Sequence, residues 1–179
     1  MAGESREEKK RKVVEVLNKA RSMELQAIHQ YMNQHYGLDD MDYGELAAKV
    51  KLIALDEMRH AEAFAERIKE LGGEPTTDKA GGIELGQEVE LIFPFDAEQE
   101  ERAMAAYNGF LLICRRNVDS TSMKIFEEII DEEQAHFNYF DGIATHIKKL
   151  GNAYLATKAG TPSGTGLEPR GFVIKGDGA

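Results

Sequence analysis

One spacing pattern occurs twice in this chain, and it leaves few folds open. Glu24 is followed 33 residues later by Glu57 and three beyond that by His60, and Glu100 is followed at the same distances by Glu133 and His136. The second set is the first displaced by 76 residues, and the same displacement relates Tyr31 to Tyr107, Ala27 to Ala103 and Phe64 to Phe140. A Glu and a His three residues apart project from one side of a helix. Here that side is also apolar, because Ile53 and Phe64 flank the first pair while Ile129, Ile130 and Phe140 flank the second. Solvated surface glutamates account for most carboxylates in a chain with 32 acidic residues. They do not account for four carboxylates on apolar stripes at matched spacing. A buried unpaired carboxylate costs on the order of several kcal/mol, and four together repel one another. Two divalent cations would bring four carboxylates and two neutral imidazoles to formal neutrality. Oxygen and nitrogen donors without sulfur suit iron or manganese and would also accept zinc.

The totals narrow the class of partner. A net charge of −10 argues against nucleic acid and against an anionic membrane surface, and it suits a cationic ligand. A lone cysteine excludes both an internal disulfide framework and a four-cysteine metal knuckle. The N-terminal MAGESREEKKRKVVEVL is charged throughout, which is not a secretory pattern, and no run is apolar enough for a membrane helix. The expected location is the cytoplasm.

Taken in order, Ser5 and Glu8 form a capping box that starts a helix near Arg6. Its apolar stripe runs through Val13, Leu17, Ala20, Ala27, Ile28 and Tyr31, carries Glu24, and is expected to end at Gly37. Asp42 with Glu45 predicts the next start, and Gly72-Gly73 with Pro75 predicts the end. Residues 72–95 lack helical period and read as one long connection with a possible strand at 89–93. About 24 extended residues span roughly 80 Å, against roughly 45 Å for a 30-residue helix, so this link can cross a whole bundle. Asp96 with Gln99 predicts a third helix ending near Asn117. A fourth runs from Ser120 to Gly151, and a short fifth from Asn152 to Ala159. The expected architecture is all-α: a ferritin-like four-helix bundle with one crossover between helices 2 and 3 and a short fifth helix. The bundle is expected over residues 1–160, with a Gly/Pro/Ser/Thr-rich tail over 161–179 that is too polar and glycine-rich to build a core and is expected at most to lie on a surface.

The segments MELQAIHQY, DEMRHAE and EEQAHFNYF resemble the ligand-bearing segments of bacterioferritin, the haem-containing ferritins, and the resemblance extends over about residues 8–160. It implies that Glu24, Glu57, His60, Glu100, Glu133 and His136 form a ferroxidase di-iron centre, with Glu57 and Glu133 bridging. It implies iron storage as a ferric mineral in a hollow shell of twenty-four subunits built from haem-linked dimers, Fe(II) and O2 or H2O2 as substrates, and a ferredoxin-type reductant for iron release. It also implies a haem between two subunits with Met58 as axial ligand. Independently of the resemblance, Met58 points about 100° away from Glu57. It shares a second strip of mostly small residues, Ala47, Ala54, Leu55, Ala61 and Ala65, expected on an otherwise solvent-facing side.

Tyr31 and Tyr107 stand two turns beyond Glu24 and Glu100. Either fills the core with a satisfied hydroxyl, or Tyr31 supplies a hydrogen bond or an electron beside the site. Asp56 and Glu132 are read as surface groups or as partners behind the ligands, and Cys114 as a small buried hydrophobe. His29, His35 and His146 lack a partner at metal-ligand spacing, with His29 the one to watch. The resemblance would also imply, as in some bacterioferritins, electron transfer through an additional iron on the inner wall held by a His in the turn before the Asp-Glu pair. This chain has Leu52 there, which puts that site in doubt. The competing function is a di-iron or di-manganese peroxidase or catalase. A single cysteine excludes the version that carries a rubredoxin module.

Overall fold

The computed structural model describes residues 4–165 and 171–173, in which every regular element is a helix. The elements are α1 (Arg6–Asp40), α2 (Gly44–Glu70), α3 (Val89–Arg116), α4 (Ser120–Leu150) and α5 (Asn152–Ala156). Ser5 caps α1 through the expected capping box with Glu8. The helix does not stop at Gly37. The wholly buried Leu38 holds the next turn in the core, and the Met41 N–H closes on the Gly37 carbonyl. Gly72 ends the second hairpin arm with φ +82°, the left-handed conformation a glycine adopts without strain.

The link between α2 and α3 runs alongside α1 in the same direction. Asn18 holds Glu74 and Thr76, Arg21 holds the Thr76 carbonyl, Gln26 that of Gly82, and Gln30 holds Glu84. This path carries the chain from one end of the bundle to the other, so α3 runs antiparallel to α1 and α4 antiparallel to α2.

The link is shorter than expected because α3 begins at Val89 instead of Asp96, and residues 89–93 are helix instead of strand. Val89, Ile92, Phe93, Asp96, Ala97 and Glu100 are buried, a helical spacing that the short apolar run VELIF could not reveal alone. Pro94 inside α3 removes one N–H, whose partner would be the carbonyl of the solvent-exposed Glu90.

Two apolar clusters fill the bundle. One gathers Leu38, Leu46, Val50, Ile53, Phe93 and Phe140; the other gathers Val13, Leu17, Phe64, Ile68, Tyr107 and Phe126. Phe64 and Phe140, counterparts under the 76-residue displacement, fall in opposite clusters. The polar repeat lies between them.

Candidate metal centre

Each helix of the bundle delivers part of the layer: α1 brings Glu24, α2 brings Glu57 and His60, α3 brings Glu100, and α4 brings Glu133 and His136. All six are at most 3% exposed. His60 Nδ1 lies 3.0 Å from Glu57 Oε2, 3.3 Å from Glu133 Oε1 and 3.8 Å from Glu24 Oε2. His136 Nδ1 lies 3.0 Å from Glu133 Oε2, 3.1 Å from Glu57 Oε1 and 4.0 Å from Glu100 Oε1. Glu57 and Glu133 thus divide their oxygens between two clusters, while Glu24 and Glu100 serve one each. Both clusters bring four ligand atoms within 4.8 Å of one another.

The imidazoles are held from behind. His60 Nε2 faces Glu132 at 3.2 Å and His136 Nε2 faces Asp56 at 3.3 Å. A carboxylate at Nε2 keeps the proton there and turns the Nδ1 lone pair inward, the arrangement that metal-binding histidines require. The hydroxyls of Tyr31 and Tyr107 donate across the bundle to Glu100 and Glu24 respectively. A cavity of about 70 Å³ reaches the four glutamates between α1 and α3, with Gln26, Gln30 and Gln99 among its walls. The buried donor set, its crowded carboxylates and its inward Nδ1 atoms fit two divalent cations of the iron or manganese type.

Without metal, this layer is arranged around protons. Burial, then the charges of Glu133 and Glu57, raises both Glu24 and Glu100 well above the usual carboxylate range. Burial would also raise Glu57 and Glu133, but the two imidazoles keep both below it. Burial opposes a charged imidazole, yet Glu133 and Glu132 around His60, and Glu57 and Asp56 around His136, lift both histidines well above their ordinary value. Burial and the neighbouring Glu100 raise Tyr31, so it stays a proton donor.

The structure brings together all six residues singled out by spacing, with Tyr31 beside them. Sequence reasoning understated Tyr107, whose hydroxyl contact mirrors that of Tyr31. It also left open the role of Asp56 and Glu132, which are buried behind the histidines. A signal was present, because these two acids obey the same 76-residue displacement. Met58 stands apart, 52% exposed in an open groove with Arg21, Leu25, Ile28, Leu55 and Ala65. The expected strip of small residues is corrected in part. Ala47 and Ala54 are buried in the core, whereas Ala61 and Ala65 line the groove beside Met58. Cys114 is buried, and burial pushes its thiol up to about 12. His29 and His146 are exposed, the latter stacked on Tyr154, and buried His35 Nδ1 meets the Ala47 carbonyl. Among the described residues no helix is long and apolar enough to cross a membrane.

Comparison with known proteins agrees with this geometry. Residues 14–150 match the family model of the ferritin-like domain. The chain is 63% identical to a bacterioferritin of Desulfovibrio desulfuricans over 97% of its own length and 96% of the relative's. It is 32% identical to bacterioferritin BfrA of Mycobacterium tuberculosis over 78% of its length and 87% of the relative's. Among solved structures, the D. desulfuricans bacterioferritin, in a diiron form reduced in solution and allowed to reoxidise before crystallisation, superposes with a TM-score of 0.91 at 62% identity, covering 96% of this chain and all of that one. M. tuberculosis BfrA superposes with a TM-score of 0.79 at 31% identity, covering 89% and 97%.

Proposed function

The chain belongs to the bacterioferritin family of ferritin-like iron-storage proteins, and on that premise we propose that it is a ferroxidase whose substrate is a pair of Fe(II) ions. The observation that carries this reading is the division of the Glu57 and Glu133 oxygens between two four-residue clusters, which suits two cations held side by side. Glu24, Glu57, His60 and Glu133 would hold one; Glu57, Glu100, Glu133 and His136 the other. Each bound Fe(II) supplies one electron, so a pair reduces O2 to H2O2, or H2O2 to water, with the protons drawn from solvent.

The protein's own part is positional. Asp56 and Glu132 aim the imidazoles, and Tyr31 and Tyr107 hold the terminal carboxylates by hydrogen bonds. The opening between α1 and α3, where Gln26, Gln30 and Gln99 stand among apolar walls, would offer the substrate an entrance. Ferric product is then stored as mineral inside a homo-oligomeric shell of twenty-four copies. At the groove beside Met58, with Leu25, Ile28 and Leu55 among its walls together with Arg21, Arg59 and Glu62, the thioether sulfur would serve as a soft ligand to a haem shared with a second subunit.

Anaerobic Fe(II) titration followed by addition of oxidant tests the proposal. Oxidation far beyond two irons per chain, held soluble in a very large particle, is the expected result, and Glu24→Ala and His136→Ala should each abolish the fast phase while the particle persists. Unchanged kinetics in both variants would sink the assignment. Oxidation that stops at two irons on a small oligomer while peroxide is consumed would favour the peroxidase.

A further inference from the structure

Three residues of the C-terminal tail meet the back of the metal centre in a way that the centre's own symmetry does not require. The backbone N–H groups of Phe172 and Val173 donate to Asp56 Oδ2 at 2.8 and 2.7 Å. The same oxygen faces His136 Nε2, and Arg59 holds Oδ1. The Phe172 ring sits edge-on to the His136 ring with centroids 6.0 Å apart, against Tyr139 at 5.1 Å, and under the Lys49 ammonium at 5.8 Å. Gly171 is buried with φ +92°, and a Cβ there would collide with Asp56 and Arg59. A chain that merely lay on the surface would need neither this backbone conformation nor two amides aimed at one buried carboxylate.

We propose that Gly171, Phe172 and Val173 form a positioning clamp for one of the two metal sites, acting through Asp56 on the imidazole of His136. The inference rests on the paired-metal reading above. The two amides and Arg59 fix the Asp56 carboxylate, which keeps the Nε2 proton of His136 in place and its Nδ1 aimed at Glu57, Glu100 and Glu133. Phe172 seals the outer edge of the ring, so the imidazole neither rotates nor exchanges its Asp56 contact for water. Outer partners of this kind govern metal affinity by about 10- to 100-fold. The clamp bears on His136, so the site with Glu100 and His136 depends on the tail, and the site with Glu24 and His60 does not.

Anaerobic Co(II) titration of the full, metal-free protein, followed by its visible absorption, reads this without turnover. Wild type should bind two Co(II) per chain. Gly171→Val and Phe172→Ala should weaken one site about 10- to 100-fold and leave the other within about twofold, with helix content unchanged. Combination with ligand variants assigns the site. In His60→Ala, where the His136 site remains, adding Phe172→Ala should lower affinity; in His136→Ala it should do nothing. Equal weakening of both sites, or no change in either tail variant, overturns the clamp. Failure of wild type to bind two Co(II) would instead overturn the paired-metal reading on which it stands.

Discussion

Glu24, Glu100, His60 and His136 hold protons more tightly in the folded, metal-free chain than the same groups do unfolded, from ordinary values of 4.5 and 6.5. With Glu57 and Glu133 ionised, that layer is electrically neutral, and so is the layer with two divalent cations in place of four protons. Loading should therefore release about two protons per metal, and affinity should rise with pH across the neutral range. A pH-stat titration with Mn(II) checks the first point, and release of well under one proton per metal would contradict it. Groups with raised folded values stabilise the fold below their unfolded values and lose that contribution as pH climbs through the folded ones. The melting temperature of metal-free protein should accordingly fall as pH rises above the unfolded values of 4.5 and 6.5, and bound Mn(II) should suppress the fall. Glu57 and Glu133, both lowered, act in the opposite sense, and their contribution disappears on acidification below 4.5. A melting temperature independent of pH in the metal-free protein would show that these protons are not there.

Among the elements, α2 shows how a distant segment finishes what a local sequence leaves undone. The expected start at Asp42 does not form, because Asp42 has φ +66° and lies in the turn, and Tyr43 at the cap offers no side-chain bond. The Glu45 N–H is satisfied instead by Thr161 Oγ1 from beyond α5. The tail passes so close that a side chain at Gly44 would strike Thr161 and Pro162. Thr161→Val should cost about 1 kcal/mol, roughly 2–4 °C in melting temperature, and should leave the metal stoichiometry at two. No change on calorimetry would mean that water serves the Glu45 amide equally well. Local signals located the Ser5 start and the Gly72 stop, since each depends on neighbours three or four residues away. They missed the Val89 start and the Thr161 cap, since those depend on what packs from elsewhere in the chain. The convergence of the six residues in one buried layer was legible because they are written as a repeat, whereas Gly171, Phe172 and Val173 carry no periodicity that relates them to Asp56.

On the scale of the whole molecule, the half-exposed Met58 groove lies on the side of α2 turned away from the ligand layer. The haem proposal and the ferroxidase proposal therefore separate. Met58→Ala should abolish a Soret band in protein that still titrates with two Co(II) per chain, and an undiminished band would remove Met58 as the ligand. Light scattering on the same sample measures the particle.

Most helix packing lies within the pairs α1–α2 and α3–α4, and far less joins one pair to the other. Yet each four-residue cluster draws on both pairs, since Glu133 completes the set on α1 and α2 and Glu57 completes the set on α3 and α4. The two hairpins are thus the units of local contact, and the six-residue layer is complete only when they dock. Bonds that form last leave the folding rate almost untouched and act on the rate of escape. Bound metal should therefore work as a latch in time: refolding in stopped-flow should run at nearly the same speed with and without Mn(II), while unfolding in denaturant slows by an order of magnitude or more.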